Sequence, residues 1–501
     1  RSSNVTGVQT CALPISILRE AVNRTEDFIS SNSKEERKKY GQFFTSESIA
    51  IFMASLFSVN LHKKSLTLLD AGAGSGILSI ALYSRLRETG YKGHIKLICY
   101  ETDDKVLDVL IKNLSSIEDR KFSFEIRGEN YITSQEYKND TSNKRPNEKE
   151  NYDLIIGNPP YKKIAKNTPE ATHMKEICYG APNLYFLFWA MGIYNLKDGG
   201  EIVYIVPRSW TSGAYFESFR KYMLSKTVIT DIHIFERRDK VFDKESVLQE
   251  TMIIKVVKRS KIPEKIKITS SNTSDFSDIK YFRVDYDTIV PQNGYVYLVT
   301  NHDEAKTLAT LNRLANTLPS NNLQMKTGLV VDFRSKELLR STASETTYPL
   351  FYSQHIKKGR VLFPIGKENE YIETERKGYL QENSNYIFIK RFTAKEEKRR
   401  LQCGLYLSKE HPNFKYISTQ NKINYIKCHS EQEAYGLYVI LNSSIYDQYY
   451  RILNGSTQVN STEINRIPMP STEIICKMGE EIRERELTQF ECDNILAKWI
   501  K

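Results

Sequence analysis

A glycine-rich turn between an apolar strand and a helical segment is the feature that most constrains this fold. The apolar run LTLL leads into Asp70-Ala-Gly-Ala-Gly-Ser-Gly76, and the following ILSIALYSRLRE has helical spacing. Glycine permits a tight turn and lets a ligand approach the main chain closely. The GxxxxGK[ST] pattern of a phosphate-binding loop is absent. The turn predicts a strand–turn–helix unit holding a nucleotide-like ligand, with a plain strand-to-helix connection as the alternative.

Short apolar runs alternate with helical stretches from about residue 66 to residue 257. This alternation is typical of an α/β fold, with a mostly parallel sheet and helices on both faces. Beyond about Lys258 the helical amphipathy fades, and short strand-like pieces rich in Ser, Asn, Tyr and Lys follow. The change in pattern predicts a second domain of mixed α+β structure.

The expected boundaries follow these changes in pattern. Val5–Ile15, VTGVQTCALPI, resembles the translation of a sequencing adapter, so we leave the first residues out of the fold. The expected segments are an adapter artefact at 1–16, a helical segment at 17–40, the α/β domain at 41–265, a connection at 266–300, the mixed domain at 301–475 and a C-terminal helix at 476–501.

Composition limits the partners and the compartment. Lysine and arginine outnumber aspartate and glutamate by 72 to 61, a surplus that suits a polyanion but also occurs in proteins that bind none. The seven cysteines form no CxxC pair, so we expect neither a metal site nor disulfides, and a reducing, cytoplasmic compartment fits. No run of about 18 apolar residues is present, so we expect no membrane partner.

Two further strand ends carry candidate ligand-binding residues. Glu101 ends the apolar run IKLICYE, where a carboxylate can accept hydrogen bonds from both hydroxyls of a ribose. Asn130 and Tyr131 follow the third strand, FEIRG, where Asn130 would contact the edge of an adenine and Tyr131 would pack on its face. A solvated strand-end acid and an ordinary core ring are the alternatives for Glu101 and Tyr131.

The motif Asn158-Pro159-Pro160-Tyr161 follows the apolar run YDLIIG, 82 residues after Gly76. Two prolines fix two φ angles and supply no N–H, so the carbonyls nearby are rigid and free to accept. An amide oxygen and a free carbonyl can bind both hydrogens of an amino group and hold its lone pair toward an incoming methyl group. Tyr161 offers a ring for a planar base. Without the upstream glycine turn, the motif would be interpreted as a simple turn.

These motifs, in this order, resemble the gamma-group N6-adenine DNA methyltransferases of type II restriction–modification systems. The resemblance covers about 450 residues. It includes GQFFTSESIA, DAGAGSG, the Glu101 strand end, NPPY, GEIVYIVPRSW, VFDKESVLQETMIIKV, KRFTAKEEKRRL, AYGLYVILNSSIYDQYYR and NGSTQVNSTEINRIPMP.

The resemblance implies a Rossmann-like class I methyltransferase domain followed by a target-recognition domain. It implies S-adenosyl-L-methionine as cofactor, no metal, double-stranded DNA as substrate, a cognate restriction endonuclease as functional partner, and a monomer. The implied cofactor contacts are Phe44, Thr45, Asp70, Ala71, Gly72, Gly74, Gly76, Glu101, Asn130 and Tyr131.

The resemblance also assigns the chemical step. Asn158 and Pro159 would bind the target amino group, while Tyr161 and Phe242 would stack on both sides of a flipped base. One position departs from the family, which commonly has aspartate where Asn130 stands. The alternatives are a same-fold enzyme acting on RNA adenine or on a protein glutamine amide, a bifunctional restriction enzyme, and a binding module with an inactive site.

Two basic clusters and a polar segment of the second domain are candidate DNA contacts. Residues 390–400 hold six basic side chains against two acidic ones, although such clusters are often solvated faces. The candidate phosphate contacts are Lys357, Lys358, Arg360, Lys390, Arg391, Lys398, Arg399 and Arg400. The candidate contacts to base edges or phosphates are Asn454, Ser456, Thr457, Gln458 and Asn460.

Overall fold

A mixed β-sheet organises the first of the two units into which the chain divides, Arg1–Val296. The computed structural model describes residues 13–33, 35, 44–137, 151–236, 251–394, 396–453, 457–482 and 488–500. The strands of this sheet are β1 (Ser65–Ala71), β2 (His94–Tyr100), β3 (Phe122–Arg127), β4 (Tyr152–Gly157), β5 (Leu196–Pro207), β6 (Thr227–Phe235), β7 (Thr251–Lys258), β8 (Lys265–Ser271) and β9 (Lys280–Asp285).

The strand order creates a reversal point in the middle of the sheet. Among the described residues the order is β3-β2-β1-β4-β5-β7-β6-β8-β9, and the neighbours from β3 to β5 are all parallel. The chain moves outward from β1 in one direction through β2 and β3, and in the other through β4 and β5. Right-handed crossovers then place the connecting helices on opposite faces. The predicted α/β class is confirmed, and ligands of such sheets bind at the carboxyl ends of the strands near the reversal.

Helices cover the sheet in two packed groups. The first group pairs α3 with α1 and α2, and the second pairs α6 with α7. Almost every residue of α6 is buried, as expected for a helix that is apolar on all sides. The helices of this unit are α1 (Leu13–Ser31), α2 (Glu47–Ser55), α3 (Ile77–Glu88), α4 (Asp104–Ser115), α5 (Pro169–His173), α6 (Leu184–Asn195), α7 (Glu217–Lys226) and α8 (Tyr286–Ile289).

Both ends of this unit differ from the expected boundaries. Helix α1 begins at Leu13, among residues that we had left out of the fold, and it buries Leu18 and Ala21 in the core. At the other end, residues 266–300 are not a simple connection, because β8 and β9 extend the sheet. Buried polar side chains in β8, such as Ser270 and Ser271, hide the apolar signal that normally marks a strand.

The second unit, Tyr297–Lys501, contains two smaller sheets. Its strands are β10 (Met325–Thr327), β11 (Leu339–Arg340), β12 (Thr347–Phe351), β13 (Ile356–Lys357), β14 (Arg360–Val361), β15 (Tyr371–Glu373), β16 (Gln381–Glu382), β17 (Asn385–Lys390), β18 (Cys403–Tyr406), β19 (Tyr416–Thr419) and β20 (Ile423–Cys428). Among its described residues, one sheet has the order β10-β20-β17-β18-β14-β13 and the other β11-β15-β12-β19-β16.

The helices of the second unit complete the expected α+β mixture. They are α9 (His302–Leu311), α10 (Glu431–Asn442), α11 (Ser444–Leu453), α12 (Ser461–Ile464), α13 (Thr472–Glu480) and α14 (Gln489–Trp499). The expected C-terminal helix therefore corresponds to α13 and α14. Gly436 and Gly479 allow α10 and α13 to pack closely, because a Cβ at either position would overlap a carbonyl of the facing helix. Within the described ranges, none of the helices is long and apolar enough to cross a membrane.

Candidate active site at the carboxyl ends of the parallel strands

The glycine turn lies between β1 and α3, as its sequence predicts. Gly72, Gly74 and Gly76 all have positive φ, at +75°, +54° and +82°. A Cβ on Gly76 would come within 2.7 Å of Leu110, so a larger residue is excluded by space as well as by conformation. The amides of Gly72 and Ala73 donate to the Tyr100 carbonyl at 2.8 and 3.0 Å, which fastens the turn to the end of β2.

Asp70 is a fully buried carboxyl group beneath this turn. The Ser79 hydroxyl donates to its Oδ2 at 2.7 Å, whereas no described residue donates to its Oδ1. Burial, with a smaller contribution from Glu101, raises the pKa of Asp70 from the usual 3.8 to about 7. The turn therefore has a buried acceptor directly below it.

Glu101 joins the end of β2 to the glycine turn. Its Oε2 accepts from the Gly74 amide at 2.9 Å, and its Oε1 accepts from the amides of Thr102 and Asp103 at 2.8 and 2.9 Å. The side chain is 9% exposed, which does not fit a solvated strand-end acid. Burial raises the pKa of Glu101, and the backbone amides oppose that shift. A carboxylate has about four acceptor positions, so capacity for a further donor remains.

Asn130 and Tyr131, the two candidate residues after β3, both contact other parts of the protein. The Asn130 side chain accepts from the Ile132 amide at 3.0 Å and donates to Glu170 at 2.8 Å, so both ends of its amide are engaged. Tyr131 is 1% exposed, and its ring packs between Tyr100 and Phe188 at centroid distances of 4.9 and 5.6 Å. The burial of Tyr131 fits the alternative of an ordinary core ring.

Asn158 is held at the end of β4 by two hydroxyl groups. The Tyr161 hydroxyl donates to Asn158 Oδ1 at 2.8 Å and lies 3.0 Å from the Ile205 carbonyl oxygen. Asn158 Nδ2 donates to Thr45 Oγ1 at 3.3 Å. Burial raises the pKa of Tyr161 far above its usual value, so its hydroxyl remains a donor at any working pH. The half-buried amide of Asn158 is thus oriented and still reachable.

The N-terminal segment approaches the same place. Ser46 caps α2 by accepting from the Ile49 amide, and the preceding Thr45 hydroxyl accepts from Asn158. A Cβ on Gly74 would lie 3.9 Å from the Phe44 ring. A Cβ on Gly72 would lie 3.8 Å from Pro160. The glycine turn, the NPPY motif and residues 44–45 therefore meet at one edge of the sheet.

Comparison with known proteins identifies the family. Residues 26–242 match the Eco57I restriction-modification methylase family. The chain is 36% identical over 478 residues to the type II methyltransferase M.BsuBI of Bacillus subtilis, covering 93% of this chain and 94% of that protein. It is 33% identical to M.PstI of Providencia stuartii, covering 97% of each. The chain belongs to the type II DNA methyltransferases of restriction–modification systems.

A solved structure agrees with this fold for most of the methyltransferase. A nuclease-deletion mutant of the Type ISP restriction-modification enzyme LlaGI, in complex with a DNA substrate mimic, aligns with a TM-score of 0.50 at 12% identity. The alignment covers 89% of this chain and 55% of that longer one. At this identity the match concerns the fold alone.

One residue of the candidate site, Ile205, was not identified from the sequence. It contributes its backbone carbonyl, which has no sequence signal because strand register places it. Thr45 was expected as a cofactor contact, and in the structure its hydroxyl accepts from Asn158. Phe242, the expected second stacking residue, lies outside the described residues.

The second unit brings its basic segment and its polar segment together. The Thr393 amide donates to the Thr457 carbonyl at 3.1 Å, and the Val459 amide donates to the Arg391 carbonyl at 2.7 Å. Thr457 is exposed, while Gln458 and Asn460 are half-buried. Asn454 and Ser456 lie outside the described residues.

Arg399 and Arg400, two of the candidate phosphate contacts, bind acceptors within the second unit. Arg400 is 1% exposed, donates to Thr393 Oγ1 at 3.2 Å, and lies over the Tyr450 ring. The Arg399 guanidinium donates to carbonyls at the end of α10, including Leu441 at 3.2 Å, where a cation also offsets the helix dipole. Both arginines donate hydrogen bonds to acceptors inside the protein. A cluster of charges in the sequence does not reveal such internal partners.

The other basic candidates divide into partnered and exposed side chains. Arg360 pairs with Glu410 at 3.2 Å. Lys390 donates to Gln402 at 2.9 Å, and Arg391 donates to the Asn421 carbonyl at 3.1 Å. The exposed lysines are Lys357, Lys358 and Lys398. Across the described ranges, no group of three or more His, Cys, Asp or Glu side chains is placed to hold a metal ion.

Proposed function

We propose that this protein methylates N6 of adenine at a specific DNA sequence, after the adenine has flipped out of the duplex. The observation that carries the proposal is the fixed amide of Asn158, at the end of β4 and beside the glycine turn. Membership of a family of DNA methyltransferases supports it, as does similarity over nearly the whole chain. The RNA and protein-glutamine alternatives gain no support from these comparisons.

The residues around the turn fit S-adenosylmethionine as the cofactor. The buried Asp70 Oδ1, which no described residue hydrogen-bonds, is an acceptor suited to a donor group placed above the turn. Glu101 keeps acceptor capacity for a ribose hydroxyl, and the positive-φ glycines let an adenosine moiety approach the backbone. When bound, this cofactor supplies an electrophilic methyl group on a sulfonium centre.

Asn158 and Pro159 would bind the amino group that receives the methyl. Asn158 Oδ1 accepts from Tyr161 and has a second lone pair for one hydrogen of the amino group. The Pro159 carbonyl, followed by a proline without an N–H, would accept the other hydrogen. The lone pair of the nitrogen is then directed away from both acceptors, toward the methyl group.

Tyr161 would also stack on the flipped base. Flipping a base out of the duplex costs a few kcal/mol of free energy. Stacking the base on one aromatic ring offsets about 1–3 kcal/mol of that cost. The Tyr161 ring is supported edge-on by Tyr185 at 6.2 Å, and its hydroxyl is anchored to Ile205. Phe242 is proposed as the second stacking ring, as the family resemblance implies.

Methylation mapping tests the proposal. Purified protein and S-adenosylmethionine are incubated with unmethylated genomic DNA, and modified bases are located by single-molecule sequencing. We expect N6-methyladenine at nearly every copy of one short sequence. The proposal is wrong if cytosine is modified, or if adenine stays unmodified while the protein is folded and binds the cofactor.

The biological setting and assembly are separate parts of the proposal. Family membership supports a cognate endonuclease that cuts the same sequence when it is unmethylated. We propose that the methyltransferase acts on double-stranded DNA as a monomer. Sedimentation at micromolar concentration, with and without a duplex, tests the assembly, and a stable dimer would contradict it.

A further inference from the structure

A cavity of about 390 Å³ lies in the second unit, between the turn that joins β13 to β14 and the segment 397–403. Ile356, Leu401 and Cys403 give it an apolar wall. Among the described residues, its lining includes four cations against one acid, Glu397. The cations are Lys358, Lys390, Lys398 and Arg399. The cavity therefore combines an apolar wall with a strongly positive rim.

The four cations differ in what they already bind. Arg399 donates to carbonyls at the end of α10, and Lys390 donates to Gln402 at 2.9 Å. Lys358 and Lys398 are exposed, and neither forms an ion pair within the described part of the chain. These two ammonium groups are the ones available to a ligand.

The fold holds Lys358 at the rim in an unusual conformation. Lys358 and Gly359 have φ of +48° and +79°, which makes a tight two-residue turn between β13 and β14. A Cβ on Gly359 would overlap the Tyr438 hydroxyl, so the turn is packed against α10. Positive φ is uncommon for a residue with a side chain, yet the turn places lysine there.

The surplus of cations over the single carboxylate in the lining favours a phosphate over a base edge. The Glu397 carboxylate accepts from the Ala394 amide at 2.7 Å and from Gln402, and is thereby held on the protein. The Asn442 amide donates to the Tyr438 carbonyl at 2.9 Å. The remaining charged donors are lysines, which bind phosphate as point charges.

We propose that this cavity binds one backbone phosphodiester of the DNA duplex. Lys358 and Lys398 neutralise the phosphate, and the adjoining sugar packs on the apolar wall. The inference rests on the proposed function, because it takes DNA as the ligand. It goes further by naming the cavity of the second unit that binds the DNA backbone. A phosphate contact strengthens binding to every sequence and carries no sequence preference of its own.

The test is the salt dependence of DNA binding by a Lys358→Ala/Lys398→Ala double variant. Fluorescence anisotropy with a labelled duplex, without cofactor, gives log Kd at several salt concentrations. We expect the slope against log salt to become shallower by about 0.9, the value for one phosphate contact. The decrease in slope should be the same for a duplex that contains the target sequence found by methylation mapping and for an unrelated duplex. Lys358→Arg/Lys398→Arg should restore the slope.

Lys427→Ala is the matched control. Lys427 is an exposed lysine of the same unit, does not line the cavity, and pairs with Glu382 at 2.9 Å. The salt-dependence slope of the Lys427→Ala variant should equal that of the wild type. All variants should unfold at the wild-type temperature. If the double variant does not fold, the slope is measured with the Lys358→Ala and Lys398→Ala single variants instead.

Three outcomes would overturn the inference. An unchanged slope in the double variant excludes a phosphate contact, and a loss confined to the target duplex indicates base recognition instead. Binding of deoxyadenosine monophosphate that the double variant loses, with the DNA slope unchanged, indicates a free nucleotide as ligand. The slope for the unrelated duplex needs neither cofactor nor a known target sequence, so absence of adenine methylation would contradict the proposed function without affecting that slope.

Discussion

The hydroxyl of Tyr161 donates a 2.8 Å hydrogen bond to Oδ1 of Asn158, so the proposed stacking ring and the proposed acceptor are connected. The same hydroxyl lies 3.0 Å from the Ile205 carbonyl. Tyr161 therefore has two separable roles, one through its ring and one through its oxygen. Substitutions that remove one role at a time should have different effects.

Tyr161→Phe should slow methyl transfer about fivefold while leaving DNA affinity nearly unchanged. The ring remains, and the loss corresponds to one hydrogen bond of about 1 kcal/mol. Tyr161→Ala removes the stack as well and should weaken retention of the flipped base by about 1–3 kcal/mol. Single-turnover methylation and fluorescence of a 2-aminopurine placed at the target separate the two effects. Equal behaviour of the two variants would contradict the separate roles.

Asn158→Ala should lower the methylation rate by about 10²-fold or more, as expected for loss of a preorganised contact to the reacting group. Cofactor affinity should change little, because the Asn158 amide is assigned to the target amino group and hydrogen-bonds to Thr45 and Tyr161. Single-turnover rates and calorimetry with S-adenosylhomocysteine measure the two quantities. A variant that retains full activity would refute the role of Asn158.

Glu101→Ala should weaken cofactor binding by about 1–3 kcal/mol, since it removes a buried acceptor. It also removes the bond to the Gly74 amide, so part of the loss reflects a loosened turn. Glu101→Gln keeps one amide oxygen and should fall between the wild type and the alanine variant. Calorimetry with S-adenosylhomocysteine measures all three, and identical dissociation constants would show that Glu101 has no role in binding.

Asp70→Asn should reduce the pH dependence of folding stability. Because the folded pKa of Asp70 is about 7 and the usual value is 3.8, the folded protein keeps a proton that the unfolded chain releases between those values. The stability that this bound proton gives the folded protein is fully present below about pH 4. It is lost as pH rises through about 7. Asparagine does not titrate, so the variant should lose less stability over this range. Urea unfolding at several pH values checks this, and parallel profiles would contradict it.

Arg400→Ala should destabilise the second unit by about 2–4 kcal/mol without changing the salt dependence of DNA binding. Its guanidinium is buried, and removing it deprives the Thr393 hydroxyl of a donor and takes a positive charge from beside Asp447 and Glu463. Denaturant unfolding measures the first effect and anisotropy the second. A shallower salt slope with normal stability would return Arg400 to the set of phosphate contacts.

The sequence predicts the parts of the site that depend on local chain geometry. The Gly72–Gly76 turn requires positive φ, and Asn158 has to follow a buried strand, so both features are visible in a short window. The α/β class is predictable for the same reason, since alternation of strands and helices is a local pattern.

Features that depend on tertiary partners were predicted less well. The position of Tyr131 after the third strand suggests a ligand contact, but the ring is buried against Tyr100 and Phe188. The charges of Arg399 and Arg400 resemble a DNA-binding patch, yet carbonyls of α10 bind Arg399, and Arg400 lies over the Tyr450 ring. No periodicity or composition encodes such partners, because they come together only when the chain folds.

The contact between Tyr161 and Ile205 has a consequence for how the site can change. Its acceptor is a backbone oxygen, so no ordinary substitution at position 205 can delete it. What places that oxygen is the pairing of β4 with β5, in which Gly157 lies opposite Tyr204. A one-residue insertion in either strand would move the acceptor by about 3.3 Å. The hydrogen bond to Tyr161 therefore depends on the length of β5 rather than on which side chain stands at position 205.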